Sequence, residues 1–173
     1  MWLIFFVLCD DFKGLFFKLI SILERLGLDI VDAKILTTKD KKVYNTISVL
    51  QDEALEHTNI NQEIRNELDN LDVSVRTTHD IYTHRHFDHK MKVSFSVNEQ
   101  WNLTQLEINV IDKQGILSNI AYVFFELDLS LINARIATMG ERVEDVFFIS
   151  NAKNKPLNMA EQSTLKEALE GRL

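Results

Sequence analysis

Proline and cysteine occur once each in 173 residues, as Pro156 and Cys9, and glycine occurs only five times. One proline argues against a long disordered linker. One cysteine excludes an internal disulfide and fits a reducing cytosol. Inside the apolar run Trp2 to Cys9, the thiol reads as a small buried hydrophobe, with a reactive thiol as the alternative. Excess positive charge is missing too. A net charge of −7 is the opposite of what a nucleic-acid surface needs. Long apolar runs are absent. Met1 to Cys9 is too short to span a bilayer and lacks the basic start and small-residue cleavage site of a signal peptide. No membrane role is expected, and the cytoplasm is the expected location. Nor is there a Walker glycine loop, a Ser-His-Asp set, a zinc signature or a paired-carboxylate site.

What is present suits one domain or two small ones. Hydrophobic residues make up 46% and charged residues 26%, and there are 11 phenylalanines. Met1 to Cys9 reads as a strand whose near-continuous hydrophobicity predicts burial on both faces. The turn Asp11-Phe12-Lys13-Gly14-Leu15-Phe16 follows. A helix then shows Leu15, Leu19, Ile22 and Leu26 at helical spacing, ending near Gly27. Strand 29–38 is expected to point Val31, Ala33 and Ile35 inward and Asp32 and Lys34 outward. A turn at Lys39 to Lys42, strand Val43 to Leu50, a helix over 59–70 capped by Thr58 or Asn59, and a short strand Val73 to Thr77 complete a βαββαβ unit.

The pattern then recurs. Strand Thr104 to Ile111 alternates Leu106, Ile108 and Val110 with Gln105, Glu107 and Asn109. Asp112-Lys113-Gln114-Gly115-Ile116-Leu117 forms a second glycine turn. Its helix carries Ile116, Ile120, Val123 and Leu127. Ile132, Ala134, Ile136 and Thr138 are expected to face inward on the next strand, and Val143 to Ile149 returns after Gly140. A displacement of roughly 100 residues superimposes Asp11 on Asp112, Gly14 on Gly115, Ala33 on Ala134 and Ile35 on Ile136, an internal duplication. The last helix opens with Asn158 and Glu161 in capping-box spacing, with Leu165, Ala168, Leu169 and Leu173 as its apolar stripe. No strand follows it. The alternating segment Met91 to Val97 is positioned to supply the missing strand, giving a permuted ββαββα order.

The expected fold is therefore α+β: two ferredoxin-like domains, each an antiparallel four-stranded sheet with helices on one face. Their boundaries are 1–78 and 91–173, with a linker at 79–90. That linker holds His79, His84, His86, His89 and Asp88. Such a cluster could bind a metal, but the spacing matches no single-face pattern, so a polar linker with no metal is the expectation.

Strand, D-x-x-G turn, helix, strand, hairpin and strand together resemble an ACT domain, a small ligand-sensing module of amino-acid metabolism. The run Gly140-Glu141-Arg142-Val143-Glu144-Asp145, with Asn133-Ala134-Arg135-Ile136 before it, resembles the last ACT domain of bifunctional uridylyltransferase/uridylyl-removing enzymes. These modify the nitrogen-signalling PII protein. The resemblance covers nearly the whole chain but only the C-terminal end of such enzymes. Their nucleotidyltransferase and HD-type phosphohydrolase domains have no counterpart here. This segment alone is expected neither to transfer UMP nor to hydrolyse it, and to hold no cofactor, whereas the catalytic domains imply Mg²⁺. The implied partners are an amino-acid effector, glutamine, the catalytic domains, PII through them, and a second ACT unit or a homodimer.

Both glycine turns are candidate effector sites. Their backbone N–H groups open onto a helix N-terminus, where a carboxylate is favoured, and Asp11 or Asp112 could hold an α-amino group. The resemblance implies that an effector lies between such a turn and the start of the second strand of a neighbouring unit. Carried over by position, the candidates are Asp11, Phe12, Lys13, Gly14 and Leu15 with strand start Asp29, and Asp112, Lys113, Gln114, Gly115 and Ile116 with strand start Ser130. The proline common before the turn glycine is Lys13 in one copy and Gln114 in the other. Helix capping would equally explain an aspartate in each turn. Two further readings stay open: a ligand-free pairing module, and an acylphosphatase-type enzyme. The latter would need a cationic phosphate cradle where Asp10 and Asp11 stand.

Overall fold

The computed structural model describes residues 1–51, 59–69, 91–111, 115–139 and 142–173. In chain order the elements are β1 (Trp2–Asp10), α1 (Leu15–Arg25), β2 (Leu28–Thr37), β3 (Lys42–Gln51), α2 (Ile60–Asp69), β4 (Lys92–Asn98), β5 (Leu103–Ile111), α3 (Ile116–Glu126), β6 (Ser130–Met139), β7 (Arg142–Ser150) and α4 (Met159–Glu170). The expected strand at Val73 to Thr77, the histidine-bearing linker and the Gly140 turn lie outside the described residues.

The duplicated units do not keep separate sheets. They share one antiparallel sheet of seven described strands in the order β1-β3-β2-β6-β7-β5-β4. The join is the β2–β6 ladder, where Ala33 faces Ile136, Lys34 faces Arg135 and Ile35 faces Ala134. β4 pairs with β5 from Lys92 opposite Asn109 to Asn98 opposite Leu103. The segment before the second copy thus fills the edge position of its sheet, and the permuted order holds.

Alternation along each strand sends one set of side chains toward the helices. Leu19, Ile22 and Leu23 of α1, Ile64 of α2, Ile120 and Val123 of α3, and Leu165 and Leu169 of α4 share one core. Ala33, Ile35, Ile47, Val49, Leu106, Ile108, Ala134, Ile136 and Phe147 complete it from the sheet. Phe16, Phe17, Phe124, Phe125 and Phe147 gather at the seam between the units. Phe17 of α1 stacks on Phe125 of α3 at 5.7 Å and meets Tyr122 edge-on at 5.3 Å. Phe124 meets Phe147 edge-on at 5.2 Å. Such pairs add to the burial of large apolar surface. α4 opens as its spacing predicts: Glu161 N–H donates to Asn158 Oδ1 at 3.0 Å, and Asn158 N–H donates to Glu161 Oε2 at 2.8 Å.

Two further expectations are corrected. β1 is not buried on both faces: Leu3, Phe5 and Val7 pack on the core, while Trp2, Ile4, Phe6 and Leu8 are exposed, Phe6 by 80%. Its apolar run reflects a core face plus an outer face that no described residue covers. Val31 and Ile132 are not the inward residues of their strands. The register shifts between Ile30 and Asp32 on β2, and between Leu131 and Asn133 on β6. A bulge adds one residue to a strand and reverses the side-chain parity beyond it. Ile30 and Leu131 pack on the core instead. Val31 and Ile132 are equivalent positions, so the bulge belongs to both copies.

Candidate ligand-binding site

The first glycine turn follows β1 directly. Asp11 N–H donates to Lys41 O at 2.8 Å, which ties the turn to the β2–β3 hairpin. Gly14 is the N-cap of α1 at φ 83°, a left-handed conformation that a residue with a Cβ adopts only under strain. As a glycine, this N-cap has no side chain with which to close the helix. Leu15 N–H bonds Phe12 O, and Lys18 N–H is the first to reach back to Gly14 O. The amides of Phe16 and Phe17 therefore have no acceptor within the helix, the usual state of a first turn.

The second unit closes over this turn. Lys13 Nζ pairs with Asp128 Oδ1 at 2.6 Å and lies 5.9 Å from the centre of the Phe125 ring. Thr37 Oγ1 donates to Leu131 O at 3.3 Å. Between the units is a cavity of about 330 Å³, within the usual size of small-molecule sites. Its rim is Asp11 to Gly14 and Lys41 from one unit, and Asp128 to Leu131 from the other. Its inner wall includes Ile35, Val43, Asn45, Ala121 and Phe124.

The charges are arranged in order. Burial pushes the Asp11 carboxyl up from its ordinary range, partly offset by Lys41 and by a hydrogen bond from the Phe12 backbone. Lys41 Nζ is 4.0 Å from Asp11 Oδ2. A half-buried carboxylate, helix amides and an apolar wall thus meet in one cavity. That set can hold a small zwitterion, with ammonium on Asp11, carboxylate at the helix N-terminus and side chain along Val43 and Phe124.

Of the residues singled out from sequence, Asp11, Phe12, Lys13, Gly14 and Leu15 come together with Ser130 of the neighbouring unit. Asp29 does not join them; it is exposed at the start of β2. Asp112, Lys113 and Gln114 lie outside the described residues. Gly115 repeats the geometry of Gly14, as a helix N-cap at φ 89°, and Ile116 is buried. Neither lines this cavity. Thr37, Lys41 and Asn45 were missed. Asn45 left a trace in the sequence, as a polar residue at an inward position between Val43 and Ile47. Among the described residues no group of three or more His, Cys, Asp or Glu could hold a metal, and no helix is long and apolar enough to cross a membrane.

Comparison with known proteins gives the relationship. The chain is 34% identical over 174 aligned positions to the bifunctional uridylyltransferase/uridylyl-removing enzyme of Pseudomonas putida strain F1. It is 36% identical to that of Pseudomonas entomophila strain L48 and 35% identical to that of Pseudomonas syringae pv. tomato strain DC3000. The chain is a relative of one segment of these enzymes. Each alignment takes in 95% of this chain and 19% of the enzyme, consistent with a C-terminal region. No family model matches the chain. The two ferredoxin-like units, side by side in one sheet, are compatible with an ACT pair.

Proposed function

We propose that the chain is an amino-acid-sensing ACT pair with glutamine as its effector. Its place is within an enzyme that adds UMP to the PII protein and removes it, with catalysis in Mg²⁺-dependent domains beyond this segment. The observation that carries this reading is the cavity. It joins the turn of one unit to the strand start of the other, and it pairs a carboxylate with free helix amides. Kinship with uridylyltransferase/uridylyl-removing enzymes supports the nitrogen-signalling context. Bound effector bridges the units, so it acts by favouring whichever enzyme state closes them. It changes activity only as far as the two states differ in affinity.

One effector per chain is the expected stoichiometry. The duplication places Glu24 where the first turn has Phe125, and Asp29 where it has Ser130. At these two positions the second turn would meet acid where the first meets neutral groups, and the acid beside the first turn, Asp128, is already paired with Lys13, so a ligand carboxylate is less favourable at the second turn. The exposed apolar face of β1 favours a second reading, a ligand-free pairing or docking module. Isothermal titration of the chain with a panel of amino acids separates the two. The sensing reading expects saturable glutamine binding near one per chain, and no binding at millimolar glutamine overturns it.

A further inference from the structure

The cavity wall contains a polar group that neither the core nor the sheet explains. Asn45 occupies an inward position of β3, with Val7 and Ile35 opposite it on the flanking strands. It is 3% exposed, and among the described residues its Oδ1 has no hydrogen-bond donor. Burying an unpartnered amide oxygen is unfavourable, and a leucine of similar shape would avoid the penalty. The duplication does not preserve the residue. The equivalent inward position of β7 holds Asp145, whose Oδ1 accepts from Ala137 N–H at 3.3 Å.

We propose that Asn45 is the specificity-determining residue of the cavity, pairing its carboxamide with the side-chain carboxamide of the bound amino acid. This rests on the amino-acid reading above. The Asp11 end of the cavity is level with Lys41, whose carbonyl holds the Asp11 N–H. Asn45 is four residues further along the chain, roughly 13 Å at the usual rise of a strand. Both residues line the cavity, and the interval between them is the space offered to the ligand. A ligand with its ammonium on Asp11 and its carboxylate at the Phe16 and Phe17 amides sends its side chain along Val43 toward Asn45.

The chemistry then discriminates. Asn45 offers one donor group and one acceptor in either orientation of its amide, and a primary carboxamide matches both. Glutamate has only acceptors, so one carboxylate oxygen would face Asn45 Oδ1. Norleucine leaves both Asn45 groups unpaired. A site built around a polar partner rejects analogues that lack it more strongly than an apolar pocket rejects a missing methylene.

The test is calorimetric titration of the whole chain and its Asn45→Leu and Asn45→Ala variants with glutamine, glutamate and norleucine. The wild type is expected to prefer glutamine to both others by about tenfold or more. Either variant is expected to lose about ten- to thirtyfold in glutamine affinity, the value of one to two hydrogen bonds. Norleucine affinity should be unchanged or higher. The melting temperature of unliganded Asn45→Leu should equal or exceed the wild type's. The alanine variant covers the case in which leucine overfills the wall. Equal wild-type affinity for glutamine and norleucine overturns the assignment, as does an unchanged ratio in the variants; in both cases the amino-acid reading survives. A wild type that binds none of the three removes both.

Discussion

Lys34 and Arg135 lie directly opposite each other where β2 meets β6. They are equivalent positions of the duplication, so the pair marks a local two-fold axis. Around it, Ala33 faces Ile136 and Ile35 faces Ala134. The axis explains why the turn of one unit meets the strand start of the other. It also juxtaposes two exposed cations, and like charges directly opposite in a ladder are unfavourable.

The Lys34→Glu variant should therefore be more stable than the wild type. The expected gain is about 0.2–1 kcal/mol, the size of a cross-strand pair, and it should shrink as salt is added. Urea denaturation at low and high ionic strength measures it. No gain at low salt would mean that the cations are already compensated.

Asp11→Ala should weaken glutamine binding by roughly ten- to a hundredfold, the loss of one charge-assisted hydrogen bond at about 1.5–3 kcal/mol. Stability without ligand should change little. Asp11 is not the N-cap of α1, and its ion pair with Lys41 is long, with the lysine end exposed. A capping aspartate would behave differently, losing about 0.5–2 kcal/mol of stability with no effect on ligand. Thermal melts with and without glutamine distinguish the two, because a ligand bound only to the folded state raises its apparent stability.

The same carboxyl sets a pH dependence. Burial raises its folded-state pKa above the unfolded value, so the folded state holds the proton more readily. Asp11 alone therefore lowers stability as pH rises from the ordinary carboxylate range through the raised value. Glutamine binding runs the other way: the ammonium needs the ionised carboxylate, so affinity is full above the raised pKa and falls as pH drops through it. Titrations across that window should show the decline, and Asp11→Asn should flatten it.

Much of this was legible in the sequence because duplication and period-two alternation are local patterns. The turn residues, the permuted strand Lys92–Asn98 and the Asn158 capping box each follow from a few adjacent residues. The bulges at Val31 and Ile132 were not legible. An inserted residue in a strand that stays apolar on both sides leaves no break in the pattern. Fusion of the two sheets was also hidden, because it depends on pairing between β2 and β6, far apart in sequence. That pairing is what brings Ser130 to the first turn. It also turns Asn45 from an isolated polar residue in an apolar strand into part of a cavity wall.

The most direct measurement is an amide chemical-shift map of the chain during glutamine titration. The account predicts saturable shifts centred on Phe12 to Phe17 and on Ser130 and Leu131, the two sides of one cavity. Smaller shifts are expected at Asn45, and none around the exposed face of Trp2 to Leu8. No saturable shift, or shifts confined to residues away from the junction of the two units, would contradict it.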